Sequence, residues 1–242
     1  MRIQIDQARL LGELHALAMF THAEPAENGT AVTRIVFSAD DLQARAWLKE
    51  LAVAEGFEVR DDAVGNIFIR WAGIEPNLPA VATGSHIDAI PHAGMYDGTV
   101  GTLGGMEAMR ALKRSGLRPR RSIELIMFTS EEPTRFGIGC LGSRLLSGTL
   151  DPNRADALPD KDEATLSTIR TAAGFSGPLA SVPLPSNHYH AWLELHIEQG
   201  PLLERGGINP NMPHDEDETA LMRATMRGHK KVIELLQPTT KR

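Results

Sequence analysis

Residues 80–129 run from an apolar segment through a loop dense in histidine, aspartate and glycine, then a helix-patterned segment, to a second apolar segment. This order narrows the folds open to the chain more than any other feature. Ala80-Val81-Ala82-Thr83, entered through Pro79, reads as a buried strand, and Ser122–Thr129 carries the strongest strand pattern in the sequence. Between them, Thr99–Lys113 presents Val100, Leu103, Met106, Met109 and Leu112 near helical spacing. Gly101, Gly104 and Gly105 suit close packing on a sheet, and Lys113-Arg114 suits the negative end of the helix dipole. The glycines lack the Gly-Lys-Ser/Thr ending of a phosphate loop. Strands alternating with helices predict an α/β fold, its mostly parallel or mixed sheet covered by helices on both faces.

The rest of the chain extends this pattern. Residues 5–20 place Ile5, Leu10, Leu14, Leu17 and Met19 near helical spacing. After a loop with Pro25, Gly29 and Thr30, Ser38 stands three residues before Asp41, a capping-box-like start for a helix through Ala54 that Gly56 stops. Phe57–Val59 and Asn66–Trp71 read as short strands with a turn at Gly65. A helix over Glu163–Ala173 and a final strand, Ala191–Ile197, are predicted downstream. The 242 residues carry a net charge of -6, which argues against a nucleic-acid surface. A single cysteine, Cys140, excludes an internal disulfide and fits a reducing compartment. No run of 18 apolar residues is present, so no membrane span is predicted and a cytoplasmic location is expected.

Chemistry-bearing residues gather where the predicted strands end. Gly84–Gly98, after the first strand, holds His86, Asp88, His92 and Asp97; Glu131 and Glu132 follow the second; His196 closes the third. Open α/β sheets place their sites at such strand ends, and imidazole with carboxylate suits zinc-like ions. Taken singly, Gly84–Gly98 reads equally as a polar loop, and Glu131-Glu132 as a solvated acidic turn. Neighbouring residues of an extended chain point opposite ways, so the two glutamates could divide into ligand and base. His92 reads as solvent-facing or supporting, His188 and His190 as surface residues, and Cys140 as a small packing residue.

Taken together, these stretches resemble the dinuclear-metal amidohydrolases acting on N-carbamoyl amino acids, allantoate and ureidoglycolate, relatives of aminoacylase and carboxypeptidase-type metallopeptidases. The matching segments are Ala31–Arg34, Asp62–Asn66, Gly84–Asp88, Tyr96–Gly98, Thr129–Gly137, Gly142–Arg144 and Leu195–Pro201. Ser130-Glu-Glu-Pro-Thr-Arg-Phe-Gly137 and His196-Ile-Glu-Gln-Gly-Pro201 are the specific ones. The resemblance implies His86 and His196 as ligands of one ion, Asp97 as a carboxylate bridging two, and Glu132 as a ligand of the second. It implies Asp88 as the carboxylate orienting the His86 imidazole, Glu131 as general base and Gln199 as a substrate contact. Two divalent ions, zinc or manganese with cobalt or nickel as alternatives, and a small ureido or carbamoyl acid as substrate are implied with them.

The resemblance covers about residues 5–205, giving an expected catalytic part over 1–205, truncated relative to the family. Family members continue into a lid or dimerisation domain and a last histidine ligand, and are usually homodimers. Here only His214 and His229 follow Pro201. Residues 206–242 instead resemble one ankyrin repeat, or read as an ordinary helical hairpin: Thr219–Ala224 opens one helix, Gly228-His229 turns, and Val232–Leu236 lines a second. The competing expectation is thus an inactive domain that binds a protein partner through this tail.

Overall fold

The computed structural model describes residues 3–24 and 31–197; Gln199, His214, His229 and the expected 206–242 tail lie outside the described residues. Helix α1 (Gln7–Ala18) precedes strand β1 (Ala31–Arg34), helix α2 (Ala39–Ala54) and strands β2 (Glu58–Asp61), β3 (Ile67–Trp71), β4 (Ala80–His86) and β5 (Ala89–Gly94). Helix α3 (Thr99–Arg114) and strand β6 (Ile123–Phe128) follow. Short helices α4 (Leu141–Leu146), α5 (Pro152–Asp156) and α6 (Leu166–Ala172), a 3-10 turn at Leu179–Ser181 and strand β7 (Tyr189–Leu193) complete the order.

One five-stranded sheet in the order β2-β3-β6-β4-β7 carries the fold. β4 runs parallel to both β6 and β7, while β3 is antiparallel to β6 and to β2. The sheet is therefore mixed. Alternation along its strands builds two cores. Ile67 and Ile69 of β3 and Leu125 and Met127 of β6 pack with Leu14, Leu17, Leu48, Leu103, Met106 and Met109 of α1, α2 and α3. Phe68, Ile126 and Phe128 pack instead with Leu141, Leu145, Leu166, Ile169 and Leu179 on the α4–α6 side. Apart from Glu124, whose carboxylate accepts from the Tyr189 hydroxyl, β6 is apolar because both its faces are covered, and each large apolar side chain so buried contributes about 1.5–3 kcal/mol.

Helix ends follow their sequence signals. The Ser38 side chain caps α2 by accepting from the Asp41 amide, and Gly56 just beyond that helix has φ +75°. The predicted 163–173 helix forms over Leu166–Ala172.

Three differences from the sequence reading bear on the site. β4 continues to His86, three residues past the expected Thr83, because Gly84 lets the β6 backbone approach; a Cβ there would lie 2.1 Å from the Ile126 carbonyl oxygen. Ala31–Arg34 and Ala89–Gly94, neither read as a strand, pair antiparallel as a two-stranded ribbon. β7 covers Tyr189–Leu193 instead of Ala191–Ile197. After the Thr83–Leu193 pairing the chain leaves the ladder, so His196 follows the strand by three residues instead of closing it.

Candidate metal centre

His86, the last residue of β4, is 1% exposed. Its Nδ1 lies 3.0 Å from the Asp88 backbone carbonyl oxygen, which requires Nδ1 to carry a hydrogen and turns Nε2 inward. Nε2 is buried without a hydrogen-bond partner, 3.6 Å from both Asp97 Oδ1 and Glu131 Oε2. Burial alone would lower this imidazole's pKa. The Asp88, Asp97 and Glu131 carboxylates outweigh it and raise the pKa well above 6.5.

The first turn of α3 builds one wall. Thr102 Oγ1 donates to the His86 carbonyl at 3.1 Å, and Asp97 directly precedes the N-cap Gly98. Gly98 has φ +64°, and a Cβ there would fall 2.5 Å from three atoms of the His86 ring. One turn on, a Cβ on Gly101 would sit 2.2 Å from the Leu195 carbonyl oxygen. This close approach lets the segment after β7 lie across α3 and deliver His196. The His86 and His196 rings are 6.2 Å apart, and one ligand atom each from His86, Asp97 and His196 fall within 4.8 Å of one another. Glu194 accepts from Ser85 Oγ at 3.0 Å and lies 3.9 Å from His196 Nδ1, which is also buried without a hydrogen-bond partner.

The loop after β6 builds the other wall. Ser130, at φ +53°, turns the chain sharply. The amides of Cys140, Leu141 and Gly142 then donate to the carbonyls of Glu131, Ser130 and Thr129 at 2.7–2.9 Å. Buried Asn66 locks this corner: its Oδ1 accepts from Thr129 N, and its Nδ2 reaches Asp62 and the Gly142 carbonyl. The Asp62–Asn66 and Gly142 stretches therefore shape the loop and do not line the site. Asp88, 1% exposed, accepts from the Glu131 and Glu132 amides at 3.3 and 3.1 Å. One residue thus ties the His86 ring to the glutamate turn, through its backbone carbonyl on one side and its carboxylate on the other.

Glu131 points Oε2 at His86 and accepts the Cys140 thiol on Oε1 at 3.1 Å. Burial and the neighbouring Glu131 push that thiol up to about 12. Glu132 is pushed up to about 7, first by burial and then by Glu131, Asp97 and Asp88, against His86. It lies beside the three-residue cluster, not within it. His92 is exposed, and half-buried His188 stacks edge-on against Tyr189. Glu194 and the Cys140–Glu131 contact escaped the sequence reading. Glu194 precedes His196 by two residues in a strand-like run, and the Cys140 contact exists only once the loop has folded.

His86, Asp97 and His196 each bring one ligand atom within reach of the others, and each histidine has a buried ring nitrogen without a hydrogen-bond partner; this combination fits a divalent cation. The N/O donor set suits zinc, manganese or related first-row ions.

Residues 82–236 match the model of peptidase family M20/M25/M40. The chain is 50% identical over 213 residues to the ureidoglycolate hydrolase of Arabidopsis thaliana, covering 86% of this chain and 44% of that protein. It is 37% identical over 210 residues to the N-carbamoyl-L-amino-acid amidohydrolase of Paenarthrobacter aurescens, covering 86% and 50%. The crystal structure of AtUAH in complex with (S)-hydroxyglycine superposes with a TM-score of 0.76 at 48% identity, covering 85% of this chain and 49% of that one. The chain spans about half the length of the curated relatives it matches. With the family match running through the β4–β6 core and the His86, Asp97 and His196 cluster, the chain belongs to peptidase family M20/M25/M40.

Proposed function

We propose that residues 1–205 form the N-terminal part of the catalytic domain of a metal-dependent amidohydrolase. The reaction is hydrolysis of a linear C–N bond in a small ureido or carbamoyl acid, in the class of ureidoglycolate, allantoate or an N-carbamoyl amino acid. The observation that carries this reading is the convergence of His86, Asp97 and His196, with Glu131 Oε2 3.6 Å from His86 Nε2. The relatives' names support the substrate class, since both a ureidoglycolate hydrolase and an N-carbamoyl-amino-acid amidohydrolase cleave a C–N bond of a ureido or carbamoyl group.

His86, Asp97, Glu132 and His196 would hold two divalent ions, with zinc or manganese the leading choices and cobalt or nickel the alternatives. Such ions polarise a carbonyl and make water acidic enough to attack near neutral pH. Glu131 takes the proton from the attacking water and returns it to the departing nitrogen, the ordinary division of labour for a general base beside a metal site. Asp88 holds both the His86 ring and the Glu131–Glu132 turn still while charge moves. Gln199 contacts the substrate in this reading.

The test is ion binding by chelator competition, followed by assays with ureidoglycolate, allantoate and N-carbamoyl amino acids in added zinc or manganese. Glu131→Gln should retain the ion and lose about a hundred- to ten-thousand-fold in turnover. A chain that binds no divalent ion, or a Glu131→Gln variant as active as the parent, would overturn the reading. The first result would leave the tail-mediated interaction module standing.

A further inference from the structure

Arg34 is the last residue of β1, 0% exposed, and the reaction above does not use it. Its guanidinium donates from Nε to the Ile87 carbonyl at 2.6 Å, and from Nη1 to the Leu17 and Phe20 carbonyls at 2.8 Å each. All three acceptors are neutral. A buried guanidinium is normally paired with a carboxylate, because taking its charge out of water is costly. Burial pulls this one down to about 10, opposed through space by Asp41, Asp88 and Asp40, so it remains charged at neutral pH. A neutral side chain would tie α1 to β1 at far lower cost, so the position of the charge calls for an explanation.

Ile87 is the residue between His86 and Asp88. Its carbonyl belongs to the peptide plane that carries the Asp88 amide, so fixing that oxygen fixes the orientation of Asp88. Asp88 in turn holds His86 Nδ1 with its own carbonyl and the Glu131 and Glu132 amides with its carboxylate. β1 and β5 bring Arg34 directly opposite Ala89, the next residue along, so the side chain has only a short reach to this peptide.

We propose that Arg34 is a positioning residue for the metal centre: by holding the Ile87 carbonyl it sets Asp88, and through Asp88 both the His86 imidazole and the Glu131–Glu132 turn. Its positive charge also offsets the buried Asp88 carboxylate. The inference rests on the metal reading given above. Lysine at this position would keep the charge but could not make the forked contact with three carbonyls, and glutamine would keep neither.

The experiment is chelator-competition affinity of the full chain for zinc and for manganese, at a temperature where circular dichroism shows each variant folded. Arg34→Gln should bind 10- to 100-fold more weakly than the parent, with Arg34→Lys between them. Arg170 supplies the control, since it is also buried and bonded to the carbonyls of Ala63 and Gly177, but pairs with Asp156 on the α6 side. Arg170→Gln should lower the melting temperature and leave ion affinity unchanged. Should Arg34→Gln fail to fold, Arg34→Lys decides alone, with a loss of about tenfold expected. Arg34 variants that melt lower yet bind ions as tightly as the parent would reduce Arg34 to a fold staple and overturn the inference by itself. A parent chain that binds no ion would overturn the reading of the site, and the inference with it.

Discussion

Glu131 faces the site with one carboxylate oxygen and the fold with the other. Cys140 holds Oε1, so the rotation that could carry Oε2 away from His86 is restrained. Replacing Cys140 by alanine removes a hydrogen bond to a charged group. About 1 kcal/mol of lost positioning corresponds to roughly fivefold in kcat, with ion affinity unchanged. Cys140→Ser keeps a donor and should recover most of the rate; equal rates for alanine, serine and cysteine would show that the thiol does not position the base proposed at Glu131. Gly98 is the sharper case. Alanine there meets both φ +64° and a 2.5 Å approach to the His86 ring, which sits between the Asp88 carbonyl and Asp97 with little room to yield. Gly98→Ala should therefore destabilise the chain by about 2 kcal/mol or more and abolish tight ion binding, read by calorimetry and chelator competition.

At the scale of elements, the site depends on α3 meeting the segment after β7. Gly101→Ala drives a methyl group into the Leu195 carbonyl and Ser85, and the chain is free to relieve this by lifting residues 194–197 away. Ion affinity should then fall with His196, while the melting temperature moves little. A large drop in melting temperature with affinity intact would place the importance of Gly101 in packing instead. Gly12 gives the contrast: it lies exposed within α1, and a Cβ there meets nothing within 4 Å. Gly12→Ala should raise stability by about 0.5–1 kcal/mol, measured by urea unfolding. What the sequence disclosed follows the same division. β6, α2 and α3 were legible because a continuous apolar run, a Ser38 cap and a helical period are local signals. β1 and β5 were not, because their pairing joins residues more than fifty apart, and Pro91 and the exposed His92 interrupt the alternation that Ala89 and Ala93 maintain. His86, Asp97 and His196 could be singled out because each follows an apolar run and lies in a segment that resembles the family. Arg34, Glu194 and the Cys140 contact could not, because each is defined by a neighbour distant in sequence or by a turn with positive φ.

The two cores hold one sheet from opposite sides, and the carboxylates of Asp88, Asp97, Glu131 and Glu132 meet at the parallel ends of β4 and β6. With no cation among them, like charges crowd a half-buried space, and protons relieve the repulsion. Glu132 releases its proton at about 7 in the fold against an ordinary 4.5, so between these values the unfolded chain has lost a proton that the folded chain keeps. Stability therefore falls as pH rises through that window. His86 acts in the same direction: the stability from its raised pKa is fully present below 6.5 and is lost as pH climbs through its higher folded value. A divalent cation reverses the trend, because it binds the deprotonated ligands and its affinity grows as protons leave. Asp41 and Asp62, whose pKa values burial also raises, affect ion-loaded and chelated chains alike and cancel in the difference between them. The gain in melting temperature on adding zinc or manganese to a chelator-treated chain should be near zero at pH 5 and increase through pH 7 and above. At a hundredfold excess over Kd the stabilisation is about 2.7 kcal/mol, or about 5–10 °C for a chain of this size. Paired calorimetric scans at pH 5, 6, 7 and 8 measure it directly; a gain that does not change with pH would mean the ion binds away from Glu132 and His86.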